Sequence, residues 1–291
     1  MRVTDIYKKK KPVISMEFFP YRDEKTAENF KTTLDDLSAA HPDYVSVTFG
    51  AGGSTKEGSF QTVKTVFKDK HLPCVAYIAG YGLSPDNIIA VLDSYRDLGI
   101  ETIFVIRGDR PREKDFVPHP DGFAHASDLI SFIQKRYDFT LGCAGYPEGH
   151  IEAQSLEKDI DFLKLKVDNG AQYIVAQYFY DNGYFFNYIE KCQKAGIEVP
   201  IIPGIMPVYT LKMTQALSKV CGTKITNALQ QKMDAVDAQD PGAVLKLGID
   251  FAVDQCRGLL KQGVSGLHFY TMNRSRSTLD IIHRLQRESL L

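Results

Sequence analysis

Apolar residues recur along the chain in two alternating rhythms. Short runs rich in Val, Ile, Phe and Tyr occupy residues 13–19 (VISMEFF), 43–49 (DYVSVTF), 73–79 (PCVAYIA), 101–107 (ETIFVIR), 139–145 (FTLGCAG), 172–179 (QYIVAQYF), 199–205 (VPIIPGI) and 265–271 (SGLHFYT). Their length and composition predict strands. Between them lie longer segments with helical spacing, such as ENFKTTLDDLSAA, PDNIIAVLDSYRDLG, EKDIDFLKLKVDNG and NYIEKCQKAG, several ending in Gly or Asn as helices tend to. The returns from helix to strand are short and alike: LGIETI, NGAQYI, AGIEVP and QGVSGL.

Eight such alternations in 291 residues, with no linker or low-complexity segment, predict an α/β fold, a (β/α)8 TIM barrel over residues 1–291 as a single domain. A doubly wound open sheet competes, but it more often shows a glycine fingerprint in its first βα turn. That turn here reads FPYRDEK. The interval between the seventh and eighth strands is the longest and contains the helical pattern IDFAVDQCRGLLKQG, so extra helices are expected there.

Composition narrows the classes of function. The chain is 44% hydrophobic and 24% charged, as soluble globular proteins are. Thirty-five basic residues against 36 acidic ones leave a net charge of -1, which argues against a general nucleic-acid or membrane-surface role. No apolar run is as long as a membrane span, and the start MRVTDIYKKKKP lacks the apolar core of a signal peptide, so a cytoplasmic protein is expected. The lysines at 8–11 read as a solvated charge run. The five cysteines contain no CxxC pair and support neither a metal site nor a disulfide framework. Cys74 and Cys143 read as small core hydrophobes within strands.

Barrels of this kind carry their chemistry at the carboxyl ends of the strands and in the loops that follow. There the chain places Glu17, then TFGAGGST, IRGDRP, AGYPEGH, AQYFYD, IPGIMPV and HFYTMNR. Glu17 is a lone acid in an otherwise apolar strand, so it needs a partner, water or a retained proton. Its neighbours Phe18, Phe19 and Pro20 are apolar, and which of these holds depends on where the strand sits in the fold. Other residues read two ways. Asp109 either pairs with Arg107 and caps a turn or takes part in chemistry. GAGGST is either turn chemistry or a phosphate cradle, and His150 is either a loop histidine or a ligand contact. Gln177 needs partners if buried, and Tyr178, Phe179 and Tyr180 beside it form either core or a stacking wall.

Taken together and in this order, EFFP, VSVTFGAGGST, RGD, YPEGH, QYFYD, IPGIMP and HFYTMNR resemble methylenetetrahydrofolate reductase of the single-domain bacterial type, over about residues 13–287. Mammalian-type members add a regulatory domain. The resemblance implies a flavin enzyme, with FAD expected and FMN the alternative. It implies reduction of 5,10-methylenetetrahydrofolate to 5-methyltetrahydrofolate by NADH or NADPH in two ping-pong half-reactions, and a homo-oligomer as in many members.

The resemblance also implies roles for single residues. Glu17 matches the general acid that protonates the folate, and Asp109 the aspartate beside flavin and pterin. Gln177 matches a pterin-binding glutamine, and Asn273 with Arg274 a pair kept at the last strand end, Arg274 facing substrate. The flavin positions are Thr48, Tyr77, Arg107, Gly108, Asp109 and His125, continuing with Ala126, Tyr146, His150, Asp159, Lys166 and Tyr270; Arg107, His150 and Lys166 are the groups suited to phosphate. The chain also departs from the pattern. Tyr77, Ile78 and Ala79 stand where a His and a Thr are common, Phe162 and Leu165 fill polar or basic positions, His125 replaces a Tyr, and Leu211 stands where an aromatic is usual. A second reading is a flavin- or pterin-binding barrel subunit that needs a partner protein for electron transfer. A pterin-dependent methyltransferase explains the fold but not the combined motifs.

Overall fold

The computed structural model describes residues 2–50, 56–109 and 116–291, so most of the GAGGST loop and the segment after Asp109 lie outside the described residues. Nine parallel strand segments form one sheet: β1 (Val13–Phe18), β2 (Tyr44–Val47), β3 (Cys74–Ala79), β4 (Thr102–Ile106), β5 (Thr140–Gly145), β6 (Tyr173–Ala176), β7 (Ile201–Ile202), β8 (Gly204–Ile205) and β9 (Gly266–Tyr270). The order is β7-β6-β5-β4-β3-β2-β1-β9-β8. Its two ends, β7 and β8, are halves of one strand interrupted at Pro203, which has no N–H for the ladder. The Pro203 carbonyl still accepts from His268 N at 3.0 Å. The sheet is therefore an eight-stranded barrel closed through a broken seventh strand, in agreement with the spacing of the apolar runs.

Helices α2 (Glu24–Ser38), α3 (Lys56–Lys64), α4 (Pro85–Leu98), α5 (Ala126–Gln134), α6 (Leu156–Asp168) and α7 (Asn182–Lys194) follow the first six strands in turn, and α11 (Arg276–Arg287) follows β9. The long seventh interval holds α8 (Leu211–Cys221), α9 (Asn227–Asp234) and α10 (Pro241–Lys261), the extra helices expected there. Side-chain oxygens cap several N-termini: Ser84 on α4, Ser155 on α6, Thr210 on α8 and Thr226 on α9 each accept a backbone N–H of the first turn.

Alternation divides each strand between two cores. Ile14, Met16 and Phe18 of β1 face outward against Phe30, Leu34 and Leu37 of α2. The inward residues Val13, Tyr44, Val75, Phe104, Tyr173 and Ile202 fill the barrel. A short helix not foreseen in the sequence, α1 (Val3–Lys9), plugs the amino-terminal end with Val3, Ile6 and Tyr7. Tyr7 Oη lies 3.1 Å from Tyr44 Oη, and Val3 N donates to Thr102 Oγ1 at 3.2 Å. The lysine run is exposed, but Lys10 is paired with Asp43 at 2.9 Å, which fastens the exit of α1 to β2. Cys74 and Cys143 are buried in β3 and β5 as expected, and all five cysteines are free. Among the described residues no helix is long and apolar enough to cross a membrane.

Interior packing leaves no slack at Gly142, where an added Cβ would lie 2.3 Å from Cζ of the buried Tyr173 ring. Gly142→Ala is expected to overpack the barrel and cost about 2 kcal/mol. A lower urea midpoint at unchanged m-value checks it.

Candidate functional site

Two features share the carboxyl-terminal side of the barrel: a buried polar cluster at its mouth and a cleft beside it. The cluster starts from strand register. Glu17 stands opposite Ser46 of β2 and Tyr270 of β9, and Ser15 opposite His268. All of these are inward positions, so the closed sheet brings them together. Glu17 is 8% exposed and His268 1%. Tyr77 Oη donates to Glu17 Oε2 at 2.6 Å, His268 Nε2 lies 3.8 Å from the same oxygen, and Ser15 Oγ is 2.8 Å from His268 Nδ1. Among the described residues His268 Nε2 has no hydrogen-bond partner. The Tyr77 ring stacks on Phe104, 4.4 Å between centroids. Burial first, and the Glu17 charge second, push the Tyr77 phenol well above its ordinary range, so it stays a neutral donor.

The surroundings of Glu17 correct the sequence reading. Phe18 does not border it, because adjacent strand residues face opposite ways. Phe18 packs outward, edge-on to Phe30 at 5.6 Å. Glu17 is enclosed instead by the hydroxyl of Tyr77 and the imidazole of His268, polar groups from distant strands. Tyr77 and Tyr270, expected among the flavin contacts, also serve other ends. The Tyr77 hydroxyl is committed to Glu17, and Tyr270 Oη donates to the Ala176 carbonyl at 3.0 Å. Both rings point into the barrel, where the alternation of β3 and β9 directs them.

The loop after β9 clamps the loop after β1. Phe19 N donates to Asn273 Oδ1 and Asn273 Nδ2 donates to Phe19 O, both at 2.9 Å, while Thr271 Oγ1 donates to the Glu17 carbonyl at 2.6 Å. Arg274 is exposed with its guanidinium 5.6 Å above the Tyr209 ring, and Tyr209 Oη donates to Tyr270 O. Tyr209, two residues before Leu211, is thus the aromatic group at this edge that the sequence comparison missed. Thr48 is buried at the end of β2, and its hydroxyl lacks a partner among the described residues. Gly108 takes φ +87°, where an added Cβ would lie 3.0 Å from that of Ala79, so backbone alone passes between Arg107 and the exposed Asp109. Burial chiefly, with the Asp109 charge in addition, pushes the Cys221 thiol up, which puts Asp109 within electrostatic reach of α8. Gln177 is half-buried beside Tyr146 and Cys221, its Oε1 accepting from Tyr178 N at 3.1 Å.

The cleft has a volume of about 360 Å3 and lies among the ends of β4 and β5, the start of α5 and the side of α6. Arg107, His125, Ala126, Tyr146, His150, Asp159 and Lys166 all line it. Asp159 is buried, and burial raises its carboxyl above the usual range, with the opposing charge of Lys166 only partly offsetting this. Lys166 Nζ donates to the Ala144 carbonyl at 2.6 Å, and Arg107 forms a two-point ion pair with Glu152. His150 meets the Tyr146 ring edge-on at 4.8 Å. Phe162 and Leu165 edge the same cleft at 57% and 45% exposure.

This donor set fits one nucleotide half of a flavin dinucleotide. Asp159 can accept from ribose hydroxyls, Tyr146 and His150 offer aromatic surface, and Arg107 and Lys166 are cations in reach of phosphate once Glu152 yields Arg107. Thr48, Gly108 and Asp109 stand outside the cleft at the ends of β2 and β4, toward the barrel mouth.

A family model described as methylenetetrahydrofolate reductase matches residues 2–286. The chain belongs to the methylenetetrahydrofolate reductase family. It is 33% identical over 273 residues to 5,10-methylenetetrahydrofolate reductase of Escherichia coli, covering 94% of this chain and 90% of the relative. It is 35% identical over 280 residues to methylenetetrahydrofolate reductase 1 of Schizosaccharomyces pombe, covering 95% of this chain and 46% of that protein. The chain therefore spans about half the length of the fungal and plant reductases it matches and about nine-tenths of the bacterial ones. In structure it is similar to an uncharacterized Clostridium thermocellum protein that binds two copies of 5-methyl-5,6,7,8-tetrahydrofolic acid. The TM-score is 0.68 at 15% identity, with 100% of this chain and 99% of that one covered, a likeness of fold.

The buried Asp159 generates a test within this family setting. Its folded-state carboxyl is raised, so ionisation costs the folded state stability as pH rises through the ordinary aspartate range, and below that range there is no cost. Asp159→Asn is expected to raise the protein's melting temperature at pH 7, with the gain vanishing near pH 3. Melting curves at both pH values check it.

Proposed function

We propose that the chain is a flavin-dependent reductase that converts 5,10-methylenetetrahydrofolate to 5-methyltetrahydrofolate with NADH or NADPH as donor, the barrel acting as one catalytic domain in the cytoplasm. The observation that carries this reading is Glu17. It is a buried acid at the carboxyl end of β1 with one oxygen held by Tyr77, on the same side of the barrel as a cleft whose side chains suit a nucleotide. The bacterial relatives that share about nine-tenths of their length with it bear the same activity in their names.

The reaction adds one hydride and one proton to the substrate. Bound flavin supplies the hydride after accepting it from the nicotinamide. The proton is the task of the protein, and Glu17 delivers it to N10 of the folate as the five-membered ring opens, leaving a methylene carbon at N5 ready for hydride. Asp109, exposed at the end of β4, accepts from the amino-pyrimidine edge and favours the positive charge that develops at N5. Gln177 offers an amide with both donor and acceptor to the pterin. Arg274, exposed above Tyr209, suits a carboxylate of the substrate's glutamate tail. Asp159, Arg107, Lys166, Tyr146, His150, His125 and Ala126 hold the nucleotide half of FAD, and Thr48 and Gly108 border its other half. FMN, lacking the adenosine that Asp159 would grip, binds less tightly on this reading.

The exposed apolar edge of Phe162 and Leu165 favours a second reading, a barrel subunit that receives electrons through a partner protein. The two readings part on one experiment. The purified protein is expected to be yellow and to bleach with NADH or NADPH without air; a protein that reconstitutes with FAD yet bleaches with neither nucleotide supports the partner reading. Glu17→Gln is expected to slow the folate half-reaction by about 10^2 to 10^4, in stopped-flow reoxidation of the reduced enzyme by methylenetetrahydrofolate. An equal loss in the nucleotide half-reaction would assign Glu17 to structure instead.

A further inference from the structure

Tyr77 occupies a strand position that sequence resemblance gives to the cofactor, but its geometry serves Glu17. The side chain is buried within the barrel, its ring is held on Phe104, and its single proton lies on Glu17 Oε2 at 2.6 Å. His268 Nε2, at 3.8 Å, also approaches Oε2. Among the described residues Glu17 Oε1 takes part in no hydrogen bond. The two carboxylate oxygens are therefore inequivalent, one occupied by a donor and the other open.

We infer that Tyr77 is a positioning residue for proton delivery, fixing Glu17 through Oε2 so that the transferable proton sits on Oε1. The inference rests on Glu17 being the acid of the folate half-reaction. In that step the Oε1–H bond breaks, a bond from the proton to the folate N10 forms, and the negative charge left on the carboxylate spreads to Oε2. A hydrogen bond to a carboxylate is stronger than one to a neutral acid, so the Tyr77 contact tightens as the proton leaves. It thereby stabilises the transition state more than the resting acid. Tyr77 is a poor choice for the acid itself, because burial and the Glu17 charge push its phenol up and make it hold its proton more tightly.

Tyr77→Phe keeps the ring on Phe104 and removes only the hydroxyl. The expected result is a folate half-reaction whose rate constant falls roughly tenfold or more while the apparent affinity for the folate is unchanged. The nucleotide half-reaction, run in parallel, controls for cofactor loading. A second measurement needs no turnover. Infrared spectra of the apoprotein, with the Glu17 band identified by difference from Glu17→Gln, are expected to show that band at a shifted frequency in Tyr77→Phe, because the hydrogen bond to Oε2 is gone. An unmoved Glu17 infrared band and an unchanged folate rate constant would overturn the inference while leaving Glu17 as the acid. A folate half-reaction that survives Glu17→Gln would overturn the parent reading, and Tyr77 would have nothing to act through.

Discussion

Closure of the sheet is the constraint on which everything else rests. In a closed barrel every second side chain of every strand must enter one packed interior with no edge through which to escape. Polar groups sent there find partners on other strands rather than on their own. Ser15 and Glu17 from β1, Tyr77 from β3 and His268 from β9 meet under this rule, and their hydrogen bonds are a direct consequence of register. The apolar residues below them, closed off by α1, leave the polar layer only the carboxyl-terminal mouth to face.

Much of this architecture was legible in the chain. The eight apolar runs mark the strands because a parallel strand buried on both faces is nearly continuously hydrophobic, and the long seventh interval announced its extra helices. What escaped was directional. Quoting VISMEFF as a run makes Phe18 the neighbour of Glu17, although the period of two sends Phe18 into the helical layer and gives Glu17 the company of Tyr77 and His268. Marking only inward positions in adjacent strands, Ser15 and Glu17 beside His268 and Tyr270, would have exposed the cluster. The helix α1 was hidden for another reason. Its seven residues carry only Val3, Ile6 and Tyr7 as apolar spacing, too short a pattern to stand out beside a lysine run.

The candidate site divides along the same lines. His125, Tyr146 and His150 from loops and Asp159 and Lys166 from α6 meet in one cleft, while Thr48, Gly108 and Asp109 stand outside it. Residues on strands were harder to assign, because a shift of one position exchanges the barrel interior for the helical layer. Tyr77 and Tyr270 illustrate this: both stand at inward positions and bond through their hydroxyls inside the barrel. The same separation keeps the two kinds of chemistry apart, with nucleotide-suited groups around α6 and the acid on β1.

The clamp made by Asn273 on Phe19 joins residues 254 positions apart, and Thr271 ties to the Glu17 carbonyl across the same interval. During synthesis the first strand leaves the ribosome long before the last. The acid is thus set in place only when β9 arrives to close the ring, and shorter nascent chains carry Glu17 with neither its histidine neighbour nor its loop anchor. Assembly at this site waits for the synthesis of β9, so a polypeptide interrupted before it lacks the groups that hold Glu17 from the far end of the sheet.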